Sequence, residues 1–348
     1  MHWDLTILYK KIFPTAEIGK PNKWLVWAFR GIVSGGALGY IAWRLWGERH
    51  LMVQSYEALD AQAAIFVGIA LALMVLNLGF ESMKWLMAVR IFYPQTSIQT
   101  AYKAIFSGIS AGIFTPSRLG EYAGRVMHLP PGWRWEAVCY TFLMRVSQLI
   151  ITLVVGCLAF EVLLAVYPQH VYEIADFPPG FVQIGRLALW GITLIMLTAF
   201  LGANHWIGFW MKPQVRKGGM VYKMIRAIQA LPSRISLKVI VLAFARYVVF
   251  SFQYYLLMVG FGFDGTPLAA YTMIGLVFLF KSTSPAIALS ELGIRESVAL
   301  TIMGGFFVSP FVAFSSTFIL YVINMMLPSA IGLLFVKPIQ SLRKSESE

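Results

Sequence analysis

Residues 101–125 read AYKAIFSGISAGIFTPSRLGEYAGR, and residues 270–296 read AYTMIGLVFLFKSTSPAIALSELGIRE. In both stretches a tyrosine precedes a proline by 14 positions, and a Leu-Gly pair flanked by Arg and Glu follows the proline. These shared features predict an internal repeat, with chance similarity of two proline-containing apolar segments as the alternative. In a membrane protein, charged residues beside broken helices are costly, so both stretches would be candidates for a functional site.

The composition is that of an integral membrane protein. Hydrophobic residues make up 58% of the 348 residues and charged residues 13%, whereas about 25% of the residues in soluble domains are charged. Apolar runs of about 20 residues recur, and each is long enough to cross a hydrocarbon core of about 30 Å. No segment is polar and long enough to fold as a separate soluble domain, so we predict one polytopic membrane domain over residues 1–348.

We predict an all-α integral membrane protein with about six full transmembrane helices and two re-entrant helical hairpins. The hairpins cover 98–130 and 267–303, in each of which an apolar stretch of about 15 residues precedes a proline break. Such a stretch is too short to cross the membrane, so each hairpin would enter and leave on one side. The predicted spans lie near 24–46, 62–89, 136–163, 183–203, 239–262 and 311–336.

Lysine and arginine residues are concentrated in particular loops. The segment 204–238 contains seven of them and no acidic residue, whereas 164–182 contains none. Because basic loops stay on the cytoplasmic side, we expect both termini and the segment 204–238 in the cytoplasm. The first hairpin would then enter from the cytoplasm and the second from outside. The halves 62–163 and 237–336 would form an inverted repeat, as in many transporters with a midplane site.

The segment 204–238, called the basic connector below, has two interpretations. Its charges can simply fix the topology, or they can recruit anionic lipid headgroups. Within the connector, residues 219–231 carry apolar side chains at helical spacing, with Lys223 and Arg226 on another face. This pattern predicts an amphipathic helix that lies in the membrane surface.

One acid and one base lie near the inner end of the second predicted span. Glu81 and Lys84 are one helical turn apart, so we expect them to form an ion pair. Lys84 would snorkel towards the membrane surface, because a long lysine stem can cover apolar surface while its charge stays in water. Trp85 would then be an interface anchor.

Two arginines lie deeper in their spans, Arg145 in the third and Arg246 in the fifth. Charges at this depth need partners. Glu121 and Glu296, one in each hairpin, are the acids that we assign to them. Ion pairing that only stabilises the fold is the alternative to a role in binding a substrate.

The two hairpins resemble the paired motifs of a known family. Residues 115–121, TPSRLGE, together with Arg125, and residues 292–296, LGIRE, look like motifs of the flippase-like family named for the transmembrane region of lysylphosphatidylglycerol synthase. The resemblance extends over residues 20–340, although residues 286–291, AIALSE, replace the glycine-rich turn of the family's second motif. The soluble aminoacyl-transfer domain of the full synthase has no counterpart in this sequence, so we expect no synthesis of lysyl lipid.

The resemblance implies movement of a lipid headgroup between membrane leaflets. An anionic phospholipid or a polyprenyl phosphate would keep its tails in hydrocarbon while arginines of both motifs bind its phosphate. The glutamates would pair with these arginines in the empty site, the prolines would end the re-entrant helices, and both hairpin tips would meet near the midplane in one site. The candidate substrate-binding residues are Thr115, Pro116, Arg118, Glu121, Arg125, Arg295 and Glu296, with Gly120, Arg145, Arg246, Pro285 and Gly293 as supporting residues.

Other classes of function are open. A small-solute or ion-coupled transporter would use the same buried charges, and a scaffold would recruit partners through the basic connector. An enzyme would need a nucleophile or a metal site; residues 108–112, GISAG, fit the serine-hydrolase elbow but lack the strand that it requires. We therefore expect a transporter that is not an enzyme, with no cofactor, metal or nucleic-acid partner. We place it in a bacterial inner membrane and leave homo-oligomerisation open.

Overall fold

The computed structural model describes residues 49, 50, 53, 57, 61–113, 115, 118–169, 178–205, 220–283 and 291–336. All of them belong to one unit, Arg44–Glu348. The predicted first span, 24–46, lies outside the described residues. Pro116, Pro285 and residues 206–219 of the basic connector also lie outside them.

The described part of the chain is built from α-helices and contains no β-strand. This confirms the predicted all-α fold. A π-helical turn, Val322–Met326, joins the last two helices, and 3₁₀ turns lie at Pro131–Trp133 and Leu333–Phe335. The helices are α1 (Ala61–Val89), α2 (Ile98–Ile113), α3 (Gly120–Val126), α4 (Arg134–Val166), α5 (Pro179–Leu201), α6 (Met220–Gln229), α7 (Ser233–Gly260), α8 (Pro267–Thr283), α9 (Glu291–Gly305), α10 (Pro310–Tyr321) and α11 (Leu327–Gly332).

Five helical stretches of the described residues are long and apolar enough to cross a membrane. They coincide with the last five predicted spans, and the ends differ by at most six residues. Two of them begin with a proline, whose missing amide hydrogen costs nothing in the first helical turn. The five stretches are Ala63–Val89, Arg134–Val166, Pro179–Leu201, Ser233–Gly260 and Pro310–Phe335.

Both predicted hairpins contain a short apolar helix followed by a second helix. Helix α2 has 16 residues and α8 has 17, which corresponds to about 24–26 Å at 1.5 Å per residue. This is less than the hydrocarbon thickness of about 30 Å. The second helices are α3, with 7 residues, and α9, with 15.

The short apolar helices pack crosswise between the two halves of the sequence. Helix α2 packs on α11, α8 packs on α4, and α1 packs along α7. Glycines permit the close approach: a Cβ on Gly332 would collide with the Phe106 carbonyl and the Ser110 hydroxyl, and one on Gly275 would lie 2.6 Å from the Ala159 Cβ. The short helix of each half therefore packs against the other half through the small-residue contacts typical of membrane helices.

The helix predicted within the basic connector is present as α6, but its apolar side contacts protein. Ala227 and Leu231 are buried, and Met224 and Ile228 pack against the same core as α4. The Tyr140 hydroxyl donates a 3.1 Å hydrogen bond to the Ala227 carbonyl. Part of this apolar face therefore packs on α4, and the position of α6 in the membrane surface stays a prediction.

Candidate functional site

The first motif begins at a tight turn between α2 and α3. Thr115 Oγ1 accepts a 2.7 Å hydrogen bond from the Gly120 amide and lies 3.2 Å from the carbonyl oxygens of Ala111 and Gly112. A Cβ on Gly120 would collide with the Ala111 carbonyl, so this position requires glycine. Arg118 has a φ of 56°, in the left-handed region that residues with a side chain seldom adopt. The turn thus holds Arg118 in a strained conformation of the kind that clusters at functional sites.

Helix α3 lies against α2 through glycines. A Cβ on Gly124 would come within 2.7 Å of the Gly108 Cα, and a Cβ on Gly108 would come within 2.7 Å of the Arg125 Cγ. The absence of side chains at these two positions leaves room for the arginine stem along α2. Arg125 is consequently buried, with 3% of its side chain exposed.

Glu121 is in contact with three arginines. Its carboxylate accepts a 2.7 Å hydrogen bond from Arg145 and one from Arg125, and it lies 3.3 Å from the Arg118 guanidinium. The Arg145 guanidinium also lies over the Tyr122 ring, 5.4 Å from its centroid, which fixes its orientation. The predicted ion pairing of Glu121 with Arg118, Arg125 and Arg145 is therefore confirmed.

A second carboxylate, Glu81 on α1, also contacts three cations. Its oxygens lie 2.9 Å from Lys84, 2.8 Å from Arg125 and 2.9 Å from Arg246. The predicted pair of Glu81 with Lys84 is confirmed, whereas the prediction that Arg246 pairs with Glu121 or Glu296 is wrong. Arg246 reaches Glu81 because α7, which carries it, packs along α1.

Lys84 and Trp85 point into the protein. Both side chains are fully buried, the lysine paired with Glu81 and the indole donating a 3.3 Å hydrogen bond to Thr141. The predictions of a snorkelling lysine and an interface tryptophan are therefore wrong. A buried acid and a hydroxyl on a neighbouring helix provide the partners that the membrane surface would otherwise supply.

These seven charged residues form one group, called the Glu81/Glu121 cluster below. Its two carboxylates lie deep, with 6% and 4% of their side chains exposed. Three of its arginines reach the surface: Arg118 is 22% exposed, Arg145 31% and Arg246 28%. Five cations against two acids give the cluster a net charge of +3 when all groups are ionised. Its members are Glu81, Lys84, Arg118, Glu121, Arg125, Arg145 and Arg246.

Some donors of the cluster lack an acceptor among the described residues. They are the Nε and Nη1 groups of Arg125 and the Nε group of Arg118, all of them buried. A buried donor without an acceptor costs about 1–3 kcal/mol, and more when it is charged. Outward-facing cations, deep carboxylates and unused donors make this a place where an anion would be stabilised.

The second motif forms a separate group. Arg295 lies 3.5 Å from Glu296, donates to the Thr317 carbonyl at 3.3 Å and lies over the Tyr321 ring at 5.0 Å. Arg295 and Glu296 are both buried, and Gly293 lies in the first turn of α9. Among the residues that the structure describes, neither Arg295 nor Glu296 has a hydrogen bond or ion pair to the Glu81/Glu121 cluster. In the described part of the chain, the charged side chains of the two motifs are therefore not in direct contact.

Two asparagines link the cluster to the helix that carries the second motif's partners. Asn77 accepts a 2.7 Å hydrogen bond from Arg246 and donates one of 2.8 Å to Asn324. Asn324 lies in the π-helical turn, three residues after Tyr321, whose ring lies under Arg295. Neither asparagine was among the predicted site residues, although a polar side chain inside an apolar span is itself a signal.

Residues 108–112, whose sequence fits the serine-hydrolase elbow, lie within α2, and the Ser110 hydroxyl lies 2.5 Å from the Ser329 carbonyl. This contact ties α2 to α11. Over the part of the chain that the structure describes, no three His, Cys, Asp or Glu side chains are grouped as a metal site would require.

The chain matches no model of a known protein family and no curated protein. The resemblance to the flippase-like family therefore rests on the motif residues alone.

Proposed function

We propose that the protein is a lipid translocator that moves an anionic phospholipid or a polyprenyl phosphate between membrane leaflets without chemical conversion. The observation that carries this proposal is the exposure pattern of the Glu81/Glu121 cluster, in which Arg118, Arg145 and Arg246 are partly exposed whereas both carboxylates are buried. This arrangement favours an anion at the surface of the cluster and disfavours a cation. The headgroup phosphate is the part of a lipid that hydrocarbon excludes.

The proposed membrane arrangement has six spans, with 24–46 as the first and both termini in the cytoplasm of a bacterial inner membrane. Helices α2 and α3 form a re-entrant hairpin from the cytoplasm, and α8 and α9 form one from outside. The crosswise packing of α2 on α11 and α8 on α4 supports an inverted repeat. A pseudo-twofold axis between α1 and α7 would exchange these two contacts, as in other transporters built from repeats.

In the proposed mechanism the phosphate competes with Glu121 for arginines. Arg118 and Arg145 bind the phosphate at the exposed edge, because guanidinium groups form bidentate, charge-assisted hydrogen bonds with it. Glu121 then retains Arg125, so no buried charge is left without a partner. Glu81 keeps Lys84 and Arg246 throughout and acts as the fixed counterion of the site.

Reconstitution into vesicles tests the proposal. Phosphatidylglycerol and a polyprenyl phosphate with a fluorophore on the tail are placed in one leaflet, and their appearance in the other is followed with a membrane-impermeant quencher. The variants are Arg118→Gln and Arg145→Gln. The matched control is Arg186→Gln, which removes a partly exposed arginine 2.7 Å from Glu161 and outside the cluster.

We expect the wild type and Arg186→Gln to move at least one of the lipids faster than vesicles without protein, and the cluster variants to lose most of this activity. Equal rates for all proteins and for empty vesicles would refute translocation. Uptake of a water-soluble organic anion without lipid movement would instead support the solute-transporter alternative. A product formed from the lipid would replace transport with an enzymatic function.

A further inference from the structure

The charge balance of the Glu81/Glu121 cluster bears on which phosphate it binds. Five cations contact two carboxylates in this cluster. Of these seven groups, Lys84, Arg125 and both carboxylates are almost completely buried, so water screens their charges poorly. A bound monoanion would lower the net charge from +3 to +2, whereas a dianion would lower it to +1.

The N–H donors of the cluster that have no acceptor also distinguish a monoanionic from a dianionic phosphate. Arg125 has two buried N–H groups without an acceptor and Arg118 has one. These are in addition to the groups that contact Glu81 and Glu121. A terminal phosphate offers three strong acceptor oxygens and about two negative charges at neutral pH. A phosphodiester has only two such oxygens and one charge.

The second motif differs from the Glu81/Glu121 cluster in its charge balance. Arg295 and Glu296 are one cation and one acid, and the arginine is also placed over the Tyr321 ring. Lys281 also interacts electrostatically with Glu296, so among the described residues the second motif has a smaller positive excess than the cluster. An anion that enters from solvent or from a leaflet would meet Arg118, Arg145 and Arg246 first, because these are the exposed cations of the cluster.

From these observations we infer that the cluster selects a lipid phosphomonoester, with a terminal dianionic phosphate, over a lipid phosphodiester. The inference rests on the proposed lipid translocation and narrows its substrate class. Each additional charge-assisted hydrogen bond strengthens binding by about tenfold or more. A preference of about tenfold or more follows if the terminal phosphate makes one such bond that the diester cannot make.

The test compares phosphatidic acid with phosphatidylmethanol on identical labelled tails. These lipids differ by one methyl group, which converts the terminal phosphate into a diester and removes one negative charge. The same two headgroups are also tested on a polyprenyl tail, so that a requirement of the protein for that tail is detected. Initial rates are measured at low lipid fraction for the wild type, Arg145→Gln and the control Arg186→Gln.

We expect the wild type and Arg186→Gln to move the phosphomonoester about tenfold faster than its methyl ester. Arg145→Gln should lower this ratio towards one, because the cluster then has one positive charge fewer. Equal movement of ester and monoester by the wild type would overturn the selectivity and leave lipid translocation standing. Absence of movement for all four lipids and for phosphatidylglycerol would overturn translocation and the inference together.

Discussion

Asn77 donates a 2.8 Å hydrogen bond to Asn324, although 247 residues separate them in the sequence. The bond joins α1 to the π-helical turn after α10. Asn77 also accepts from Arg246, which itself pairs with Glu81. The bond therefore connects the helix beside the second motif with the buried charges beside the first. In apolar surroundings both amides need these partners.

Replacing Asn324 with leucine should destabilise the protein, because the Asn77 amide would lose its acceptor. Hydrogen bonds between membrane helices contribute about 0.6 kcal/mol on average and about 1.7 at most. We expect Asn324→Leu and Asn77→Leu each to lower the midpoint of thermal unfolding in detergent. In a double-mutant cycle the two effects should be less than additive. Strictly additive losses would show that the two amides do not depend on each other.

Glu81 is expected to be among the most sensitive positions of the chain. Glu81→Gln removes the acid that contacts Lys84, Arg125 and Arg246 and leaves their charges facing one another. Loss of one member of a buried ion pair costs about 3–5 kcal/mol. The variant should unfold at markedly lower temperature in detergent and be poorly expressed.

A second substitution distinguishes lost charge balance from lost packing at Glu81. The double variant Glu81→Gln with Lys84→Met removes one acid and one buried cation, and it should recover part of the stability of the single variant. If Lys84→Met brings no recovery, the destabilisation does not arise from uncompensated positive charge. Lys84 is suited to this test because its side chain is fully buried.

The sequence predicts what is local in this fold. Glu121 and Arg125 are four residues apart, so a single helix brings their side chains together, and the structure has this contact. Arg118 reaches Glu121 from the turn that precedes this helix. Apolar runs likewise predict the spans, because length and composition decide whether a helix can cross a membrane. The pairing of Arg145 with Glu121 was predicted from the scarcity of buried acids.

Contacts between distant helices could not be predicted in the same way. Arg246 and Glu81 are 165 residues apart, and only the packing of α7 along α1 brings them together. Hydropathy gives the ends of a helix but not the neighbour that each face meets. Lys84 illustrates the consequence: its position near a helix end predicts snorkelling, yet the neighbouring helices enclose it completely.

Gly332 should be essential for the contact between α11 and α2. In Gly332→Ala the added methyl group would collide with the Phe106 carbonyl and the Ser110 hydroxyl, and overpacking of this kind costs about 1–3 kcal/mol. Gly304→Ala is the matched control, because a Cβ there meets no atom within 4 Å. We expect a lower unfolding temperature for Gly332→Ala only. Equal behaviour of the two variants would contradict close packing at α11.

Arg118 offers a way to separate function from stability. Its φ of 56° costs a residue with a side chain about 1–2 kcal/mol, whereas glycine adopts it freely. Arg118→Gly should therefore retain the unfolding temperature of the wild type, because relief of strain offsets loss of the 3.3 Å pair with Glu121. Lipid movement should nevertheless fall, since the exposed cation is gone.

The comparison variant at this position is Arg118→Val, which removes the same charge but adds a branched side chain that the left-handed region disfavours. It should lose both lipid movement and about 1 kcal/mol or more of stability relative to Arg118→Gly. Unfolding in detergent and lipid movement in vesicles are measured on the same preparations. If Arg118→Gly unfolds as early as Arg118→Val, the left-handed turn is not strained. If Arg118→Gly moves lipid at the wild-type rate, the exposed guanidinium does not bind the headgroup.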